Sequence, residues 1–285
     1  MATDALPTTP MIEYRDVHKT FDLPVLSGVD LTVADGETLA IVGPSGTGKS
    51  VLLKTTIGLI VPDRGDVIVD GQSVYGSGPS VLAEVRRKVG YVFQNAALFD
   101  SMTVHENLLQ GLPDALQKSL GRKEALRRVC AALEGVNLEP GHVLNKFPGE
   151  LSGGMRKRVG LARTIVGEPR IILYDEPVTG LDPVNSAAVE RLIRRIRERM
   201  GVTSLVVTHD IEGALGYCDR IALLDRGKLA FVGTPAEFRR SHTPMVMAFA
   251  DRTAAANFSV RMLDDESHGG PSESWQNGVE NAPDA

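Results

Sequence analysis

Apolar and polar positions along this chain change period several times, and the changes outline its elements. Residues 12–21 and 29–33 alternate apolar with polar, the period-two pattern of strands buried on one face. Asp35-Gly36 supplies a turn after the second of them. Residues 38–42 form a short apolar run leading straight into a glycine-rich stretch, and residues 50–59 then follow a helical pattern. That helix is expected to set Val51, Leu52, Ile57 and Gly58 close to the core. Residues 67–69, ahead of Asp70-Gly71, predict a further strand and turn, and residues 89–93 predict a buried strand ending at Gln94.

From residue 96 to about 162 the texture is helical, with residues 124–133 amphipathic, and this stretch is expected to be an inserted helical subdomain. Strand character returns at residues 171–174, 204–208, 221–224 and 229–232, with a strongly charged helix at Pro183–Met200 between the first two. Strands alternating with helices imply an α/β fold, a mainly parallel sheet covered on both faces. No internal repeat is found. The pattern fades after about residue 249. Residues 264–285 are rich in Ser, Gly, Pro, Asn and acidic side chains, which predicts disorder when the chain is alone. Trp275, the single tryptophan, falls in that tail and is expected to be incidental there. One domain over residues 11–240 and an extension over 241–285, disordered after 263, is the expected organisation.

Composition narrows the partners. A net charge of -5 argues against a nucleic-acid binder that works through a general positive field. Cys130 and Cys218 form neither a CxxC nor a metal-ligand spacing, and the bland expectation for both is burial as small apolar residues. The first ten residues carry neither a basic region nor an apolar one, so no secretory signal is expected. No apolar run approaches the roughly 20 residues that span a bilayer. Any membrane role is therefore expected to run through a partner.

The glycine-rich stretch carries the first chemistry. In Gly43-Pro44-Ser45-Gly46-Thr47-Gly48-Lys49-Ser50, glycines let backbone N–H groups turn inward around phosphates, and the helix beginning near Gly48 adds a positive end. Lys49 would neutralise the β- and γ-phosphates of ATP, and the Ser50 hydroxyl would ligate Mg²⁺. Strand, glycine loop and helix in that order is the context that makes such a pattern a site. Further on, Asp175 ends an apolar strand, where an unpaired carboxylate is costly to bury. Polarising a magnesium shell gives it a reason to be there. Glu176, the next residue, is the candidate to orient or deprotonate the water that attacks the γ-phosphate.

Between the two lies Leu151-Ser152-Gly153-Gly154-Met155. That ordered triple resembles the nucleotide-binding subunit of an ABC transporter, and the resemblance covers roughly residues 11–240. It implies a P-loop NTPase fold with an antiparallel β subdomain and an inserted helical subdomain. It also implies a homodimer in which Ser152, Gly153 and Gly154 of one copy face the γ-phosphate of ATP held by the other. Phe21 matches the adenine-stacking aromatic, although Tyr14 is nearby and a core role stays open for either ring. Gln94 matches the glutamine that touches magnesium and the attacking water. His209 matches the switch histidine, and Asp182 in Gly180-Leu181-Asp182-Pro183 matches an aspartate crossing the dimer interface. Val51 falls next to Ser50 in the nucleotide-binding stretch. Arg156, Lys157 and Arg158 are expected to form mostly a solvated helix face, as are Arg191, Arg194, Arg195, Arg197 and Arg199.

Three variants narrow the resemblance. Val51 stands where most relatives have Thr, Met155 where most have Gln, and Tyr174 precedes the two carboxylates. Together they are similar to the MlaF/Mkl branch, whose members energise lipid movement with MCE proteins. The resemblance implies an MlaE-like membrane permease, an MCE-domain (MlaD-like) protein and a possible STAS-domain (MlaB-like) protein as partners. Phospholipid would be the cargo, handled at the cytoplasmic face of a bacterial inner membrane. The residues 95–102 that follow Gln94 would supply a groove for a coupling helix of the permease. The tail is expected to reach the neighbouring subunit. An importer of amino acids or another small solute is the alternative, with the same ATP chemistry. A soluble ABC protein of translation or repair, and a module that binds ATP without hydrolysing it, fit less well. The first usually carries paired ATPase units or a long coiled coil, and against the second Lys49, Glu176 and His209 are all present.

Overall fold

The computed structural model describes residues 10–76, 78–243 and 246–247. β1 (Pro10–Thr20) and β2 (Pro24–Ala34) open the chain, followed by β3 (Thr38–Val42) and the helix α1 (Lys49–Thr55). In β1, Ile12, Tyr14 and Val17 turn inward to the core, while Glu13 and Arg15 between them pair at 2.7 Å. β4 (Arg64–Val69) and β5 (Gln72–Ser73) join them in a four-stranded antiparallel sheet of order β2-β1-β4-β5. The chain then forms α2 (Pro79–Lys88) and β6 (Val89–Val92).

Two differences from the sequence reading have identifiable physical causes. α1 stops at Thr55, short of residue 59. The Thr55 hydroxyl donates back to the Leu52 carbonyl, Gly58 adopts φ 63, and the Tyr75 hydroxyl lies within reach of the Thr55 and Ile60 carbonyls. Leu52, Leu53 and Thr55 of α1 are fully buried and Ile57 just beyond it is buried, while Val51 and Gly58 are only half-buried. α2 escapes the periodicity reading because it buries a single side chain, Val85. Pro79 in its first turn and Arg86, Arg87 and Lys88 in its last are its remaining helix signals.

Between β6 and the next strand lie α3 (Val104–Leu109), α4 (Asp114–Ser119), α5 (Arg122–Gly135), α6 (Pro140–Val143), a 3₁₀ turn at Pro148–Glu150, and α7 (Gly153–Ile165). Leu108, Val129, Leu133, Val159 and Ala162 bring α3, α5 and α7 into one core cluster. The buried Asn107 amide donates to the carbonyls of Phe99, Met102 and Thr103 and accepts from Phe99 N–H, fixing the 99–103 loop.

The chain returns through β7 (Ile171–Asp175), α8 (Pro183–Met200), β8 (Thr203–Thr208), α9 (Ile211–Tyr217), β9 (Arg220–Asp225), β10 (Lys228–Gly233) and α10 (Pro235–Arg240). A six-stranded sheet of order β10-β9-β3-β8-β7-β6 results, parallel throughout except for β10. This is the α/β architecture expected from the sequence. Every residue of β3, β7 and β8 is buried, as sheet strands covered on both faces must be.

Register places the motifs. Val42 lies opposite Thr208, Asp175 opposite Val207, and Val92 opposite Tyr174. The glycine loop, both carboxylates, His209 and Gln94 therefore leave the sheet at one carboxyl edge, where open α/β sheets bind ligands. No described helix is long and apolar enough to cross a membrane. The expectations about residues 264–285 and Trp275 lie outside the described residues.

Candidate nucleotide site at the carboxyl edge of the sheet

The glycine loop is shaped by close approaches. Gly43 has φ 154, and a Cβ there would stand 2.2 Å from the Leu224 carbonyl oxygen at the end of β9. Gly48 has φ 98, and a Cβ would stand 2.9 Å from Val25 atoms of β2. Inside the loop the Thr47 hydroxyl donates to the Pro44 carbonyl at 2.9 Å. The Lys49 ammonium donates to the carbonyls of Gly43 and Pro44 at 2.8 and 2.9 Å. Burial lowers the Lys49 pKa, opposed by the negative charges of Glu176 and Asp175. Ser45 and Gly46 are exposed at the crest of the loop, and Val51 is half-buried on α1.

Two hydrogen-bond groups stand beside the loop. In the first, Ser50 Oγ donates to Asp175 Oδ1 at 2.6 Å and the Tyr91 hydroxyl of β6 donates to Asp175 Oδ2 at 2.8 Å. In the second, Glu176 Oε2 accepts from the Thr179 hydroxyl at 2.9 Å and lies 2.8 Å from His209 Nδ1. Glu176 itself sits at φ 52, a left-handed backbone costing about 1–3 kcal/mol for a residue with a side chain. Its N–H is held by the Val207 carbonyl at 2.9 Å. Burial alone would raise the Glu176 pKa, but hydrogen bonds from His209 and Thr179 and the charges of His209 and Lys49 bring it below the ordinary carboxylate value. His209 moves the other way, raised chiefly by its bond to Glu176.

Among the described residues no three His, Cys, Asp or Glu side chains cluster as a metal cage. The donor set suits magnesium, which takes one or two protein oxygens and completes its shell with phosphates and water. Ser50 Oγ and Asp175 Oδ1 are that adjacent pair. Gln94 is exposed in the turn directly after β6 and takes no part in either hydrogen-bond group.

The model of the ABC transporter family matches residues 26–179, a span holding the glycine loop, the Ser152–Gly154 turn, Asp175 and Glu176. The chain belongs to the ABC transporter family. It is 44% identical over 227 residues to the sulfate/thiosulfate import ATP-binding protein CysA of Caulobacter vibrioides, covering 79% of this chain and 65% of that protein. It is 39% identical over 249 residues to the probable ribonucleotide transport ATP-binding protein mkl of Mycobacterium tuberculosis, covering 87% of this chain and 68% of mkl. The chain thus spans about two thirds of the length of these relatives. Among solved structures, the ATP-binding cassette MJ0796, a dimer in a post-hydrolysis state bound to ADP and Pi, superposes with a TM-score of 0.72. That structure is 32% identical, and the match covers 79% of this chain and 99% of MJ0796. The domain is an ABC ATPase.

Within this ATPase, among the described residues, no side-chain hydrogen bond joins the glycine turn ahead of α7 to the glycine loop of the same chain. Ser152 caps α7, its hydroxyl accepting from Met155 N–H at 3.2 Å, and Ser152 and Gly153 are exposed while Gly154 is buried. Asp182 caps α8 in the same way, accepting from Asn185 N–H at 3.0 Å. Of the two candidate aromatic rings, Tyr14 is 1% exposed with its hydroxyl 2.5 Å from Thr56 Oγ1, a core ring. Phe21 is 56% exposed, with the Lys19 ammonium 5.3 Å over its face. Cys218 is buried and Cys130 partly so, and both are free thiols.

The expectation of a solvated face at residues 156–158 fails for two of the three. Lys157 and Arg158 are half-buried, with Lys157 Nζ on the Thr179 carbonyl at 2.9 Å and Arg158 on the carbonyls of Gly154 and Asn137. On α8, Arg197 likewise docks, onto Gly36 and Asp219, while Arg191, Arg194, Arg195 and Arg199 stay exposed. Tyr91, Thr179 and Lys157 carry no sequence motif of their own. Only Thr179, three residues past Glu176, could have been suspected from spacing.

Proposed function

We propose that this chain is the ATP-hydrolysing subunit of an ABC transporter that moves phospholipid between inner and outer membranes. Two copies would act beneath an MlaE-like permease, with an MCE-domain protein beyond it and a STAS-domain protein as a further partner, at the cytoplasmic face of a bacterial inner membrane. The observation that carries the hydrolysis reading is the Glu176 carboxylate, held by His209 and Thr179 one residue past Asp175. A carboxylate kept ionised and aimed from a left-handed backbone is equipped to take the proton of an attacking water.

The remaining roles are those that the family resemblance implies for these residues. Backbone N–H groups of residues 43–48 and the Lys49 ammonium bind the β- and γ-phosphates. Ser50, Asp175 and Gln94 would hold magnesium, which would neutralise charge on those phosphates when bound with ATP. His209 orients Glu176 and reaches the γ-phosphate. Phe21 stacks on adenine with its exposed face. Ser152, Gly153 and Gly154, opening the 13-residue α7, bind the γ-phosphate of the partner's ATP, and Asp182 crosses the same interface. ATP then favours the closed dimer and hydrolysis releases it. A groove of about 1330 Å³ beside the Gln94 turn, with the exposed rings of Phe93 and Phe99 on its wall, suits a coupling helix from the permease.

The lipid assignment rests on the three variants Val51, Met155 and Tyr174; the similarity to mkl supports the branch, although mkl itself is named for probable ribonucleotide transport. The match to CysA favours a second reading, import of a small solute by the same ATP chemistry. Purification of the tagged chain from native membranes in mild detergent, with mass spectrometry of bound proteins and lipids, separates the two. A permease, an MCE protein and phospholipid are expected; a solute-import permease without an MCE protein would overturn the lipid reading and leave the ATPase intact.

A further inference from the structure

The segment from Glu176 to Asn185, the loop after β7 and the first turn of α8, is gripped by α7 at two places. At the first, Lys157 Nζ donates to the Thr179 carbonyl at 2.9 Å, and the hydroxyl of that same Thr179 donates to Glu176 Oε2 at 2.9 Å. At the second, Gly154 lies so close to Asn185 that a Cβ would stand 2.9 Å from its amide oxygen. Asn185 in turn donates to both carboxylate oxygens of Asp182, at 3.0 and 2.5 Å.

Lys157 follows Gly153 by one turn of the helix. A helix moves as a stiff rod over that length, so displacement at Ser152–Gly154 reaches the lysine directly. A lysine on a helix surface ordinarily keeps its ammonium in water. Here the ammonium is half-buried, burial lowers its pKa against the opposing charge of Glu176, and its hydrogen bond ends on a single backbone carbonyl. That carbonyl belongs to the residue whose side chain holds Glu176, the carboxylate proposed to take the proton of the attacking water. Beyond Thr179, His209 Nδ1 completes the chain at 2.8 Å from the same Glu176 oxygen.

We infer that Lys157 is a positioning residue that ties the Ser152–Gly154 end of α7 to the Glu176 carboxylate of the same protomer. Engagement of the partner's ATP at Ser152 then sets this protomer's own hydrolytic geometry through Lys157 and Thr179. In a dimer where each copy lends Ser152 to one ATP and Glu176 to the other, the link makes the two sites sense each other. The inference rests on the ATPase reading above.

The test uses the full-length chain. Steady-state hydrolysis is measured against ATP concentration for the wild type, Lys157→Met and Lys157→Arg, beside binding of a fluorescent ATP analogue. Misplacing a reacting group by a fraction of an ångström is costly, so Lys157→Met is expected to lower kcat about tenfold or more. The Hill coefficient should fall toward non-cooperative behaviour, while analogue affinity changes by less than about twofold, because the lost interaction lies outside ground-state binding. Lys157→Arg, which keeps a cationic donor, should restore most of both losses. Wild-type kcat and cooperativity in Lys157→Met would overturn the proposal. So would a loss shared equally by analogue affinity and not restored by Lys157→Arg, since that pattern marks a merely structural lysine. A wild-type chain that hydrolyses no ATP would instead remove the ATPase reading itself, so the two failures are distinguishable.

Discussion

The phosphate loop and the loop that follows β7 leave neighbouring parts of one sheet edge, yet they are held by opposite means. The first makes its hydrogen bonds within itself, Thr47 and Lys49 bonding to carbonyls of Gly43 and Pro44, and its glycines let β9 and β2 pack closely against it. The second is assembled from afar. His209 comes from the end of β8, Lys157 from α7, and Tyr91 reaches Asp175 from β6. Local shape suits the proposed task of this loop, to fit a phosphate chain that is always the same. A long-range assembly suits a part whose geometry must change with the state of the rest of the molecule, because several elements can bias it.

The contrast breaks most sharply at its two charged centres. Lys49→Ala removes the one buried ammonium of the phosphate loop, acting on binding and on the transition state together. A loss on the order of 10⁴-fold in kcat/KM is expected, with loss of fluorescent-nucleotide binding. Retained turnover would show that the phosphate site is misplaced. Glu176→Gln should spare nucleotide binding and lower kcat by about a thousandfold, since only proton acceptance is lost. ATP should then hold the variant as a stable dimer in size-exclusion chromatography. A variant that hydrolyses at the wild-type rate would remove Glu176 from its role.

The same contrast explains what the sequence discloses. A loop whose hydrogen bonds are internal is written contiguously, so residues 43–50 are readable without any knowledge of the fold. So is the pair Asp175 and Glu176, because an acidic end to an apolar strand is conspicuous, and so are the fully buried strands β3, β7 and β8. Lys157 is invisible for the converse reason. In the sequence it is one cation in a run of three, and only the packing of α7 against the 176–185 segment removes it from water. The early end of α1 has the same origin, since the Tyr75 hydroxyl that caps its exit lies 20 residues away from Thr55.

A smaller effect tests the first hydrogen-bond group. Tyr91→Phe deletes one of the two donors on Asp175 while preserving the ring that packs against Phe93 at 4.4 Å. Outer-shell partners of a metal-binding oxygen typically affect affinity more than the chemistry, so the magnesium concentration for half-maximal hydrolysis should rise about tenfold. The rate at saturating magnesium should change less. An unchanged magnesium requirement would mean that Tyr91 only packs.

The smallest effect is a titration, and its sign is fixed by the pair itself. The Glu176 hydrogen bond and charge raise His209 above its ordinary value of about 6.5, while burial and Lys49 pull it down and Asp210 pushes it up. Glu176 is lowered below its ordinary carboxylate value. The His209 contribution to stability is therefore fully present below about pH 6.5 and is lost as pH rises through the raised folded value. The Glu176 contribution is present above about pH 4.5 and is lost as pH falls through the lowered folded value. Both act together in the window between those folded values, and the His209 side chain is exposed enough that solvent keeps the effect modest. In Glu176→Gln the strongest raising cause disappears, leaving burial and Lys49 opposed only by Asp210. The His209 titration followed by NMR should then shift to lower pH. An unshifted midpoint would mean that the 2.8 Å contact does not hold in solution, and that the loop after β7 is less firmly gathered than the phosphate loop beside it.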